Sequence, residues 1–117
     1  MDIDEHRRQA LKFLEDADAE FEQGDTLQAS EKLWGAASHA VLAVSLENGW
    51  RSGDHRALKM AAERLAAERN DPLIEAYFGI AEKFHANFYH SSMADFELET
   101  DRPKIRNFVL SVLSQTG

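Results

Sequence analysis

Five histidines, at positions 6, 39, 55, 85 and 90, are the side chains of this sequence best suited to proton transfer near neutral pH. Most stand among groups that could hold an anion. His6 precedes Arg7 and Arg8, His55 lies between Arg51 and Arg56, and His85, Asn87 and His90 share a ten-residue segment with Lys83. An arginine can fix a phosphate or carboxylate while a nearby imidazole gives or takes a proton. Arg51, His55, His85, Asn87 and His90 are therefore the candidate binding residues. No metal is expected, because His85 and His90 are five apart, whereas a helical metal pair needs i, i+4 spacing with a carboxylate. The sequence has no cysteine, and it lacks a phosphate-cradling glycine loop, a Gly-x-Ser-x-Gly elbow and a dinucleotide fingerprint. No cofactor is expected either.

The elements that must position these residues are all helical. Ala10, Phe13, Leu14, Ala17 and Phe21 recur three and four apart and predict helix 1 over 4–22. Gly24-Asp25 ends it, and Asp25 caps helix 2, with Gln28 in the capping-box position. Helix 2 runs to about residue 48, where Gly49 supplies the stop and Trp50 folds back as an apolar cap. It is apolar nearly all the way round and should be central, with Gly35, Ala36, Ala37, Ala40 and Ala43 admitting close neighbours. Trp34, on that helix, reads as core.

Helix 3 is expected over 54–69, with Leu58, Ala61, Ala62 and Leu65 inward. Asp71-Pro72 starts helix 4, which extends to about residue 90. Its expected buried stripe is Leu73, Tyr77, Ala81, Phe84 and Phe88. Asn87 and His90 fall with Lys83 on a more polar face, while His85 and Tyr89 share a face with Phe78 and Ala81. Residues 91–101 lack periodicity and read as a loop, leaving helix 5 at about 102–115 with Pro103 in its first turn. The fold class is thus all-α, an antiparallel up-and-down bundle of four to five helices forming a single domain over 1–117.

Composition sets the limits on function. A chain of 117 residues, 44% hydrophobic and 29% charged, is an ordinary globular length and mixture. Neither a signal peptide nor a membrane span is read, so a cytoplasmic, complete chain that avoids membranes is expected. The net charge of −8 opposes loose binding to nucleic acid, yet it is unevenly spread: residues 51–70 hold five bases against three acids. Up-and-down connectivity would gather the start of helix 1, the end of helix 2, the start of helix 3 and the end of helix 4 at one pole. His6, Arg7, Arg8, Arg51, His55, Arg56, His85, Asn87 and His90 would meet there, opposite Glu20, Glu22, Asp25 and Asp71. The competing reading is that these are solvated helix ends balanced by Asp2, Asp4, Glu5 and Asp54.

Two segments go beyond generic helix, QASEKLWGAASHAVLAVSLENGW at 28–50 and AEKFHANFYH at 81–90. With His55 and Leu58 they resemble the small prokaryotic HEPN-like proteins, in particular the archaeal repeat-protein (PaREP) branch, in which a Lys-x-Trp-Gly-Ala helix precedes a His-x-Asn-Phe-Tyr segment. The resemblance implies a helical bundle, often dimeric, in a superfamily of RNA-cleaving toxins, nucleotide-binding partners of nucleotidyltransferases and inactive members. Its ribonucleases use an Arg, then a His after a gap of four to six residues. Here Arg51 to His55 leaves three, and the longer gap to His90 begins at Lys83. The expectation is a homodimeric binding or assembly module with a protein, nucleotide or RNA partner at one pole. It would belong to a two-component nucleotidyltransferase or toxin-antitoxin system. The alternative is a metal-independent ribonuclease with a non-standard Arg/His site.

Overall fold

Helix boundaries in this chain follow local capping chemistry. Asp2, Asp25, Asp54 and Asp71 each turn a side-chain oxygen onto a backbone N–H of the next turn, those of Glu5, Gln28, Ala57 and Leu73. Gly24, Gly49, Asn70 and Ser91 end the first four helices with positive φ of 84°, 71°, 51° and 49°. The computed structural model describes residues 1–114. It contains α1 (Ile3–Glu22), α2 (Thr26–Asn48), α3 (His55–Arg69), α4 (Pro72–His90) and α5 (Asp95–Ser114), with no strand among the described residues. The expected end of the last helix at residue 115 lies outside them.

The result is an all-α bundle around one cluster of buried side chains. Phe78, Phe84, Phe108, Ile105, Val41 and Val44 are the largest apolar members near zero exposure. Helix α2 is central, touching all four others, as its nearly continuous apolar surface predicts. Its small residues work as expected. A Cβ on Gly35 would lie 2.8 Å from the Phe13 ring of α1, so this glycine sets how closely the two helices approach.

Three expectations need correction. The buried face of α4 is Ile74, Phe78, Ala81, Phe84 and Asn87. Leu73 is 53% exposed and Phe88 is only partly covered. Ala81 and Phe84 are buried as expected, and packing of α4 against α2, α3 and α5 together widens the covered face around them to take in Ile74, Phe78 and Asn87. The second correction is that 95–101 is helix rather than loop. Glu97 closes the first turn by accepting from Ala94 N–H (3.1 Å), Leu98 is buried, and buried Asp101 pairs with Lys83 (3.1 Å) and Lys104 (3.3 Å). Pro103 therefore sits well inside α5.

The third concerns direction. His55, the first residue of α3, lies beside Trp34, far from the end of α2. Arg69, at the other end of α3, donates to the Ser111 and Val112 carbonyls. Residues 49–54 thus run back along the bundle, and α3 follows the same sense as α2. Six extended residues span about 20 Å, close to the ~22 Å of a fifteen-residue helix, so this connection needs no tight turn. Helix α4 is then antiparallel to both α2 and α3, and α5 to α4.

Candidate functional site

The returning connection decides which candidate residues meet. His55 on α3 and His85 on α4 both come against Trp34 on α2, with ring centres 4.8 and 4.9 Å from the indole and 6.2 Å from each other. Those three distances set the two imidazoles next to each other against the indole rather than diametrically across it. Phe78 closes the inner side, edge-on to Trp34 at 5.7 Å. Tyr89 stands edge-on to His85 at 5.3 Å and is itself mostly exposed.

Each imidazole is held by a carboxylate. His55 Nε2 lies 2.8 Å from Glu82 Oε2, and His85 Nδ1 lies 2.8 Å from Glu31 Oε1. An ionised carboxylate only accepts, so the ring nitrogen facing it carries the proton. That fixes the tautomers when the rings are neutral: His55 Nδ1 and His85 Nε2 remain as acceptors. With side chains 46% and 31% exposed, the pair can be reached from solvent. The arrangement offers two carboxylate-oriented imidazoles packed on a half-buried indole. It can hydrogen-bond a planar polar ligand, or give one proton while taking another.

The other candidates lie elsewhere. Asn87 is buried, donating to Ser30 Oγ (2.9 Å) and accepting from Met93 N–H (2.8 Å), so it is a structural tie rather than a surface group. His90 is exposed in the last turn of α4, 6.4 Å from the Tyr89 ring. Arg51 is exposed on the 49–54 connection, 3.7 Å from Asp54. The expected pole is thereby divided: His6, Arg7 and Arg8 occupy the end of the bundle where α2 finishes, whereas the end of α4 lies beside Ser30 and Glu31 near the start of α2. Asp71 likewise stands at the end opposite Glu20, Glu22 and Asp25.

Sequence reasoning passed over Glu31 and Glu82; Trp34, read as core, is half-buried and packs against the core while its ring also meets both imidazoles. A signal was present, since Glu31 and Trp34, and Glu82 and His85, are each three apart and so share a helix face. A second histidine pair was also missed. His6 Nδ1 and His39 Nδ1 are 2.8 Å apart beside Phe13. Burial holds both below the ordinary histidine value of 6.5; the amino terminus adds to this for His6 and the neighbouring His6 for His39. Among the described residues no group of three or more His, Cys, Asp or Glu side chains is placed to hold a metal ion. No described helix is long and apolar enough to cross a membrane.

Residues 5–109 match the archaeal PaREP1/PaREP8 family. The comparison with curated proteins finds no significant match. The fold is similar to that in a crystal structure of a protein from Sulfolobus solfataricus, with a TM-score of 0.78 and 23% identity. The alignment covers 91% of this chain and 94% of that one, and at this identity the likeness speaks for the fold alone.

Proposed function

The chain belongs to the archaeal PaREP1/PaREP8 family, and from that premise we propose that it is a single-domain, cytoplasmic, HEPN-like binding module that takes a nucleotide or single-stranded RNA by its base. One observation carries this reading: His55 and His85, each oriented by its own glutamate, stand together against the Trp34 indole with one ring nitrogen of each left free of its carboxylate. Base edges offer the N–H groups that such acceptor nitrogens meet, and aromatic side chains give bases a stacking surface. Titration with adenosine monophosphate and a short oligoribonucleotide tests it by calorimetry. His55→Ala and His85→Ala should each weaken binding by about tenfold, the usual loss of one good hydrogen bond. Arg51→Ala and His90→Ala should leave it unchanged. Binding insensitive to both His55 and His85 would reject the site.

The same two nitrogens favour a second reading, metal-independent cleavage of RNA. One imidazole would take the 2′-hydroxyl proton as the other protonates the departing 5′-oxygen. Glu31 and Glu82 beside the rings work against phosphate, which is why binding is placed first. Incubation of RNA with the protein in EDTA decides between them: 2′,3′-cyclic phosphate ends, lost in both histidine variants, would establish the enzyme. Assembly as a homodimer is supported by exposed Leu73, Tyr89, Phe96 and Leu110 on α4 and α5. Sedimentation at high micromolar concentration should give twice the chain mass; a monomer there would remove dimerisation from the proposal.

A further inference from the structure

The Gly49 turn throws the chain back on itself. Its N–H donates to the Leu46 carbonyl at 3.4 Å and the Trp50 N–H to the Ser45 carbonyl at 2.8 Å, a pairing that seats the Trp50 indole partly against the core. Across from it, α3 presents Ala57 and Ala61, where larger apolar residues would fill the space. A cavity of about 390 Å³ remains between the connection and α3, within the ~300–1,000 Å³ of small-molecule clefts. Met60, 55% exposed, forms its lip.

The charge at this cavity differs in sign from that of the chain. Arg51 and Arg64 line it and no carboxylate does, in a protein of net charge −8. Arg64 lies over the Trp50 ring, its guanidinium carbon 4.5 Å from the centre. Each guanidinium has a carboxylate nearby, Asp54 at 3.7 Å for Arg51 and Glu68 at 3.4 Å for Arg64, and all four side chains are more than half exposed. Exposed pairs of that length hold little, and a carboxylate that meets a guanidinium bidentately competes well with them. We infer that this cavity is a second binding site, for a small amphipathic carboxylate whose apolar body lies on Trp50, Met60 and the α3 alanines while Arg51 and Arg64 grip its head. It shares no residue with the Trp34 cluster and stands or falls separately from the function proposed there.

The test uses the whole chain labelled with ¹³C at its methionine methyls, titrated with octanoate and followed by NMR. The Met60 methyl should shift saturably in the millimolar range or below, with Met93, on the far α4–α5 connection, unmoved. Octanol and octylammonium keep the apolar body and change the head, so both should bind at least about tenfold more weakly. The double variant Arg51→Gln/Arg64→Gln should lose about the same factor for octanoate alone. A Met60 methyl that does not move, equal affinity for the three head groups, or wild-type octanoate binding by the double variant would each overturn the site. The head-group series on the wild-type protein decides the matter even if the double variant fails to fold.

Discussion

At the level of single residues, buried polar groups distinguish structure from surface in this molecule. Asn87 ties three elements at once, giving a hydrogen bond to Ser30 at the start of α2 and receiving one from Met93 just before α5. Asn87→Ala leaves the Met93 N–H without its acceptor, so the free energy of unfolding in urea should fall by about 1–3 kcal/mol. A loss under about 0.5 kcal/mol would return Asn87 to the surface class. The His6–His39 pair makes a second prediction. A nitrogen-to-nitrogen hydrogen bond needs an unprotonated acceptor, and burial lowers the affinity of both rings for protons relative to the value of 6.5. The unfolded chain therefore binds more protons than the folded one below that value. This contribution to stability is complete above pH 6.5 and declines as the pH falls below it. Nearby Glu5 and Asp2 act in the opposite direction on His6 but do not reverse it. His6→Gln removes one titrating ring, and unfolding measured from pH 7.5 to 5 should then show a shallower fall than the wild type. Parallel profiles would mean that the pair titrates alike in both states.

Whole helices are governed by how closely their neighbours approach, and two glycines make that measurable. A Cβ at Gly35 would sit 2.8 and 2.9 Å from two Phe13 ring carbons, while one at Gly79 would meet nothing within 4 Å. Alanine gains up to about 1 kcal/mol over glycine inside a helix, and overpacking removes about 1–3 kcal/mol. Gly79→Ala should accordingly raise the unfolding free energy and Gly35→Ala should lower it; the same sign for both would mean that the α1–α2 spacing is soft. The helices, and the stops at Gly24 and Gly49, were legible in the sequence because periodicity and capping act over a few residues. The helical start of α5 was not, since Leu98 and Asp101 owe their burial to α4 and its Lys83, which local pattern does not reveal. The candidate site was half legible for a related reason. His55 and His85 are named by chemistry, but their meeting over Trp34 depends on a six-residue connection that could turn tightly or run back. Arg51 and His90 were grouped with them on the assumption of a turn.

On the scale of the whole molecule, charge determines how a ligand at the Trp34 cluster can be held. Many cations are already engaged: Arg102 and Arg106 with Asp18, Lys83 and Lys104 with Asp101, and Arg69 with the carbonyls of Ser111 and Val112. Burial lowers the proton affinity of Arg69, and the hydrogen bond to Asp101 raises that of Lys83. The cluster itself brings Glu31 and Glu82 rather than lysine or arginine. A nucleic acid bound there would have its base recognised and its phosphates left in solvent, within the field of a chain whose net charge is −8. Each phosphate neutralised on a single strand contributes about −0.7 to the slope of log affinity against log salt. For a short oligoribonucleotide the expected slope is near zero, and no steeper than about −0.7, since the site neutralises at most one phosphate. Fluorescence titrations between low and moderate salt would measure it. A slope of about −2 or steeper would mean that several phosphates are being neutralised. Binding would then belong to an arginine-bearing surface such as the one around Arg51, Arg56 and Arg64, and the Trp34 cluster would lose its role.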